Sequence, residues 1–161
     1  MSSLTVYIGF DASNYTQKLA HDVCARSIRK YNDKVKIVTL VKSELVSKGY
    51  FSREHDPKAS TEFTYTRFLV PFLNNYEGIA VFCDSDFLYN YDIEELLQYY
   101  DETKAVMCVK HEQKSVTSVK FSGMPQSPKP PTINVIPSAM PWMATSAEST
   151  TLLIIASKFD C

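Results

Sequence analysis

The sequence predicts an α/β fold built on a mixed, mainly parallel sheet flanked by helices. Three observations carry this expectation. The chain opens strand–helix–strand: an apolar run at 4–10, a helical pattern at 15–31 and an alternating run, KVKIVTLV, ending at Val41. That is the βαβ order of a parallel sheet covered by helices. Residues 79–83, IAVFC, form a continuous apolar run, as expected of a strand buried on both faces. Residues 105–109, AVMCV, repeat that character.

The elements follow in order. LTVYIGF is rich in β-branched and aromatic residues, so it reads as a strand with Asp11 just past its carboxyl end. Asn14 or Ser13 is placed to cap the helix over 15–31, whose Leu19, Val23, Cys24, Ile28 and Tyr31 recur at helical spacing. Residues 43–60 are mixed and polar and read as a loop with one helical turn. TEFTYTRFLVPFL (61–73) reads as a helix kinked or ended early by Pro71, which lacks an N–H. Gly78 punctuates, and the strand over 79–83 follows. DIEELLQYY (92–100) reads as a short helix whose acidic first turn suits the helix dipole. VTSVKF (116–121) reads as one more strand.

After Gly123 the texture changes. Six of the eight prolines fall between Pro125 and Pro141, and between Met124 and Ser157 only Lys129 and Glu148 are charged. Residues 1–123 are therefore read as the α/β core and residues 124–161 as an irregular Pro-rich tail. A frame change in the coding sequence, or a fragment boundary, would produce such a shift.

Composition excludes several classes. A net charge of −1 gives no bulk attraction to nucleic acid or an anionic membrane. The opening MSSLTVYIGF lacks the basic flank and apolar core of a signal peptide, and no apolar run approaches the roughly 20 residues of an integral membrane segment. Cys24, Cys83, Cys108 and Cys161 form no CxxC pair, so they read as free thiols in a reducing cytoplasm.

The chemistry concentrates in IAVFCDSDFL. In open α/β sheets, ligands bind beyond the carboxyl ends of the strands. Asp84 and Asp86 fall there, and Asp11 falls at the same edge after the first strand. Clustered carboxylates at one edge are costly without a positive partner. Two aspartates two residues apart suit a hard divalent cation, Mn²⁺ or Mg²⁺, bridging to a diphosphate. The plain alternative is a turn with two solvated acids.

The stretch TEFTYTRFLVPFLNNYEGIAVFCDSDFLYNYDIEELL, with the opening VYIGFD, resembles the GT-A-fold glycosyltransferases related to glycogenin and the lipopolysaccharide galactosyltransferases, a family-8-like group with a Rossmann-like nucleotide-binding core. The shared pattern is a helix carrying (T/Y)xxR, here ending in Arg67, then an apolar strand ending in DxD, then an acidic D(I/L)xEL helix. The resemblance implies transfer of a sugar from a nucleoside diphosphate sugar, with uridine as base, to an unknown acceptor. It implies that Asp84 and Asp86 hold the metal, that Asp11 accepts from the base, and that Tyr15 stacks on it. Ser85 would reach the ribose, and Arg67 the diphosphate or sugar hydroxyls. For Arg67 the competing reading is a structural ion pair to Asp84 or Asp11. That group also draws a third metal ligand, usually a histidine, from past its midpoint. This chain has His21, His55 and His111, none in the HxxGxxKPW context of the group.

Two other functions remain open at this point. A nucleotide-sugar-binding fragment without its acceptor half would share the donor site and lack transfer. A haloacid-dehalogenase-like phosphatase also uses a strand followed by DxD, as nucleophile and general acid. FCDSDFLYN lacks the Thr or Val usual after the second aspartate there, and that motif normally lies on the first strand.

Overall fold

The computed structural model describes residues 4–54, 61–109, 135–136, 143–145 and 152–156. It has the mixed α/β architecture expected. Strand β1 (Thr5–Gly9) pairs in parallel with β2 (Lys36–Leu40) on one side and β3 (Ile79–Asp84) on the other. Helix α1 (Tyr15–Tyr31) makes the crossover from β1 to β2. The Asn14 side chain caps it, accepting from the N–H groups of Thr16 and Gln17, and Arg29 and Lys30 occupy its last turn, where cations suit the carbonyl end.

The α1 face that meets the sheet is only partly the expected one: Cys24 and Ile28 are on it. Cys24, Ala25, Ser27 and Ile28 are buried, whereas Leu19, Val23 and Tyr31 are exposed. Small residues replace large ones because the helix lies close to β4 (Phe87–Tyr89), where the Ser27 hydroxyl accepts the Tyr89 N–H at 3.0 Å and donates to the Cys24 carbonyl at 2.7 Å. A polar residue thus completes a buried backbone bond that no hydrophobic periodicity reveals.

Helix α2 (Lys42–Ser47) follows β2 directly. The single helix expected over 61–73 is instead a turn, a 3₁₀ segment at Thr66–Leu69 and a short α3 (Val70–Leu73). The Thr64 hydroxyl accepts from the Thr61 N–H and donates to the Thr61 carbonyl, which competes with helix formation. Pro71 lies in the first turn of α3, where a missing N–H is harmless. The acidic segment forms a 3₁₀ helix, Ile93–Tyr99, capped by Asp92, whose carboxylate accepts from the Glu94 N–H and from Asn32 Nδ2. Strand β5 is Val106–Val109.

The sheet order places three further strands. β6 (Val135–Ile136), β7 (Met143–Thr145) and β8 (Leu152–Ala156) come from the segment expected to be irregular. The six-stranded sheet runs β2-β1-β3-β8-β5-β6, and β4 pairs with β7 separately. β8 is antiparallel to both β3 and β5, with Phe82 opposite Leu153 and Met107 opposite Ile154. The apolar run LLIIA therefore fills the middle of the sheet. The prolines of this segment end at Pro141 and none falls in this run, so β8 can join the ladder on both sides. The expected strand over 116–121 lies outside the described residues.

Alternation along β1 and β3 divides the core. Val6, Ile8, Val81 and Cys83 face α1, Phe87, Ile93 and Leu96. Tyr7, Ala80 and Phe82 face Leu40, Leu45, Phe51 and Val70. Both faces are covered, which is why these strands read as unbroken apolar runs. Each large side chain buried here stabilises the fold by about 1.5–3 kcal/mol relative to exposure. Cys24, Cys83 and Cys108 are buried free thiols, as expected. No helix among the described residues is long and apolar enough to cross a membrane.

Candidate functional site

The strand register assembles the site. Gly9 lies opposite both Leu40 and Asp84, so β1, β2 and β3 end at one edge. Asp84 is the last residue of β3. Ser85 and Asp86 form the turn to β4, whose buried Phe87 and Tyr89 anchor that turn.

Arg67 and Asp84, each with 16 % side-chain exposure, form an ion pair with Nη2 donating to Oδ1 at 3.3 Å. Arg67 is fixed at two further points. Its Nε donates to the Thr64 carbonyl at 2.9 Å, and its guanidinium lies 4.9 Å from the centre of the Phe82 ring. Arg67 thus sits at the strand edge and makes the ion pair to Asp84 that was one of its two readings. Asp86 is exposed, yet partial desolvation raises its carboxyl above the usual range, opposed by its own backbone N–H.

A cleft of about 470 Å³ opens beyond β1 and β2. Phe10, Val41 and Val46 give it apolar walls, and Asp11, Lys42 and Glu62 give it charge. The Asp11 Oδ1 accepts from the Ser13 N–H at 2.9 Å and the Ser13 hydroxyl at 2.6 Å, an Asx turn that fixes the carboxylate at the cleft wall. Lys42 Nζ pairs with Glu62 Oε2 at 2.7 Å.

The expected residues divide accordingly. Asp84 and Arg67 touch, and Asp86 lies two residues beyond. Asp11 lines the cleft. Tyr15 is 73 % exposed in the first turn of α1 and available to a ligand face. Ser85 is buried, with 5 % exposure, so its side chain is poorly placed to reach a ribose. Lys42 and Glu62 were not expected. The signal for Lys42 was its place after the second apolar strand, at the edge where Asp11 follows the first.

Among the described residues no group of three or more His, Cys, Asp or Glu converges as a metal cluster. Asp84 and Asp86 nevertheless provide the hard oxygen donors that Mn²⁺ or Mg²⁺ prefers, and Arg67 now neutralises the first of them. His21 is committed elsewhere: it stacks on Phe10 at 4.6 Å, with Nε2 3.0 Å from Thr39 Oγ1 and Nδ1 3.2 Å from Asp22. His55 and His111 lie outside the described residues.

This edge geometry agrees with sequence relationships. The family model described as Glycosyl transferase family 8 matches residues 6–135. The chain belongs to glycosyltransferase family 8. It is 39 % identical over 126 residues to Protein CDI of Arabidopsis thaliana, covering 78 % of this chain and 48 % of that protein. The chain thus spans about half the length of this family 8 relative. Among solved structures it resembles the WbbM bifunctional glycosyltransferase, with TM-score 0.55 and 20 % identity over 98 % of this chain and 32 % of that one. It also resembles the glycosyltransferase GlyE of Streptococcus pneumoniae TIGR4, with TM-score 0.53 and 14 % identity over 98 % of this chain and 35 % of that one. At these identities the two structures support the fold. Family membership replaces the phosphatase alternative.

Proposed function

We propose that this edge binds a nucleoside diphosphate sugar, with uridine as base, and that the protein takes part in transferring the sugar to an acceptor. The observation that carries this reading is the Arg67–Asp84 pair, set beside the Asp11 cleft at the ends of three parallel strands in a family 8 chain.

The base and ribose occupy the cleft against Phe10 and Val41, within reach of the Asp11 carboxylate. The diphosphate lies over the end of β3. Asp84 and Asp86 are the residues that would hold Mn²⁺ or Mg²⁺ there. Such an ion supplies Lewis-acid neutralisation of the leaving nucleoside diphosphate. Arg67 exchanges its contact with Asp84 for the diphosphate or sugar oxygens, which its planar donor fork suits. The buried free thiols suit a reducing compartment such as the cytoplasm.

A second reading has its own support. The chain spans 48 % of Protein CDI, so it can supply the donor site while acceptor-binding groups lie in sequence it lacks. Calorimetric titration of UDP with and without Mn²⁺ tests the donor site common to both. Asp84→Asn and Asp86→Asn should each abolish the metal dependence. Equal UDP affinity with and without metal in the parent chain would refute it. Transfer from a UDP-sugar, assayed over a panel of glycan acceptors, separates the enzyme from the donor-binding piece.

A further inference from the structure

We infer that Lys42 and Glu62 are positioning residues that set the orientation of Arg67 through the turn that joins Glu62 to Thr64. This rests on the donor-binding reading for its consequence, although the mechanical link does not.

The link can be followed atom by atom. Lys42 begins α2, directly beyond the end of β2, and its Nζ holds Glu62 Oε2 at 2.7 Å. Glu62 belongs to the turn over 61–66. That turn is stiff: the Thr64 N–H donates to the Thr61 carbonyl at 3.2 Å, the Thr66 N–H to the Phe63 carbonyl at 3.0 Å, and the Thr66 hydroxyl to the same carbonyl at 2.8 Å. Phe63, between Glu62 and Thr64, is buried against β1. The Thr64 carbonyl then receives the Arg67 Nε–H at 2.9 Å, leaving Nη2 directed at Asp84. The ion pair in the cleft wall is therefore linked through this turn to the cation at the end of β3. Both Lys42 and Glu62 line the cleft.

An ion pair this exposed changes an equilibrium by up to about five-fold. The test uses the full 161-residue chain and two readouts. The first is hydrogen exchange at the Arg67 Nε–H, followed by ¹⁵N NMR and assigned by its loss in Arg67→Lys. The second is UDP affinity with Mn²⁺. Glu62→Gln and Lys42→Met should each speed the Nε–H exchange and weaken UDP by about three-fold. The reversed pair, Lys42→Glu with Glu62→Lys, should restore both. Unchanged Nε–H exchange in the two single variants would overturn the inference, whatever happens to affinity. Faster exchange in a chain whose parent binds no UDP would support the link and overturn the donor reading instead.

Discussion

Gly9→Ala probes how tightly the site edge is packed. Gly9 ends β1, and a methyl group added there would stand 2.7 Å from Phe63 Cδ2 and 3.1 Å from two Phe82 ring carbons. Favourable carbon contacts begin near ~3.5 Å, so the Phe63 ring must retreat by roughly 0.8 Å. Overpacking of this kind costs about 1–3 kcal/mol. Restricting the unfolded chain returns about 0.4–1 kcal/mol. The net loss is about 1–2 kcal/mol, which for a chain of this size lowers Tm by roughly 2–8 °C. Thermal unfolding followed by circular dichroism measures it. Because Phe63 carries the turn that orients Arg67, UDP affinity should fall with it. Adding Phe63→Leu should recover most of the lost Tm by making room. A Gly9→Ala protein melting within about 1 °C of the parent would show that the Phe63 contact is not a fixed part of the structure.

Arg67→Lys keeps the charge but loses the Nε–H bond and the planar fork, and should weaken UDP-sugar binding by about ten-fold or more, since a charge-assisted hydrogen bond is worth about 1.5–3 kcal/mol; unchanged affinity with a lowered Tm would assign Arg67 a structural role alone. Asp92→Ala removes a helix cap and the bond to Asn32, and should cost about 1–2 kcal/mol in a denaturant titration while leaving UDP affinity intact. A hydrogen bond with Cys24, then burial, raises the Cys83 thiol, and burial raises the Tyr89 phenol. Their neutral forms are favoured in the fold, so this contribution is complete below the free values of 9.0 and 10.0 and is lost as pH rises past them. Tm should therefore fall between pH 8 and pH 10.5. A flat profile across that range would contradict the burial of these groups.

The parts of the fold legible in the sequence were those governed by local pattern. β1, α1 and β3 follow from apolar runs and the Asn14 cap, and Asp84 is fixed by its place at the end of a buried strand. Parts that depend on distant partners were not legible. β8 is five apolar residues in a charge-poor segment, and only the open flanks of β3 and β5 make it a central strand. Ser27 looks like a surface residue on a helix until β4 brings it an N–H to accept. Phe63, Arg67, Phe68, Val70 and Leu73 follow a helical rhythm, yet the Thr64 and Thr66 hydroxyls satisfy backbone carbonyls locally and compete with the helix. Among the candidate site residues, Arg67 and Asp84 meet at one edge. Their mutual contact was only one of two readings, because sequence spacing does not say which charge an arginine meets.

The central place of β8 orders the birth of the molecule on the ribosome. β3 is complete at residue 84 and its neighbour ends at residue 156, 72 residues later (156 − 84). At about 5–20 residues per second the apolar flank of β3 waits roughly 4–14 seconds for its partner. β5, synthesised in the interval, has no direct pairing with β3 in the finished sheet. During that interval two hydrophobic strand edges stand ready to capture each other in a wrong register, or to capture a neighbouring chain. Nascent chains halted before residue 152 should accordingly bind chaperones or aggregate, and chains extended a few residues past 156 should not.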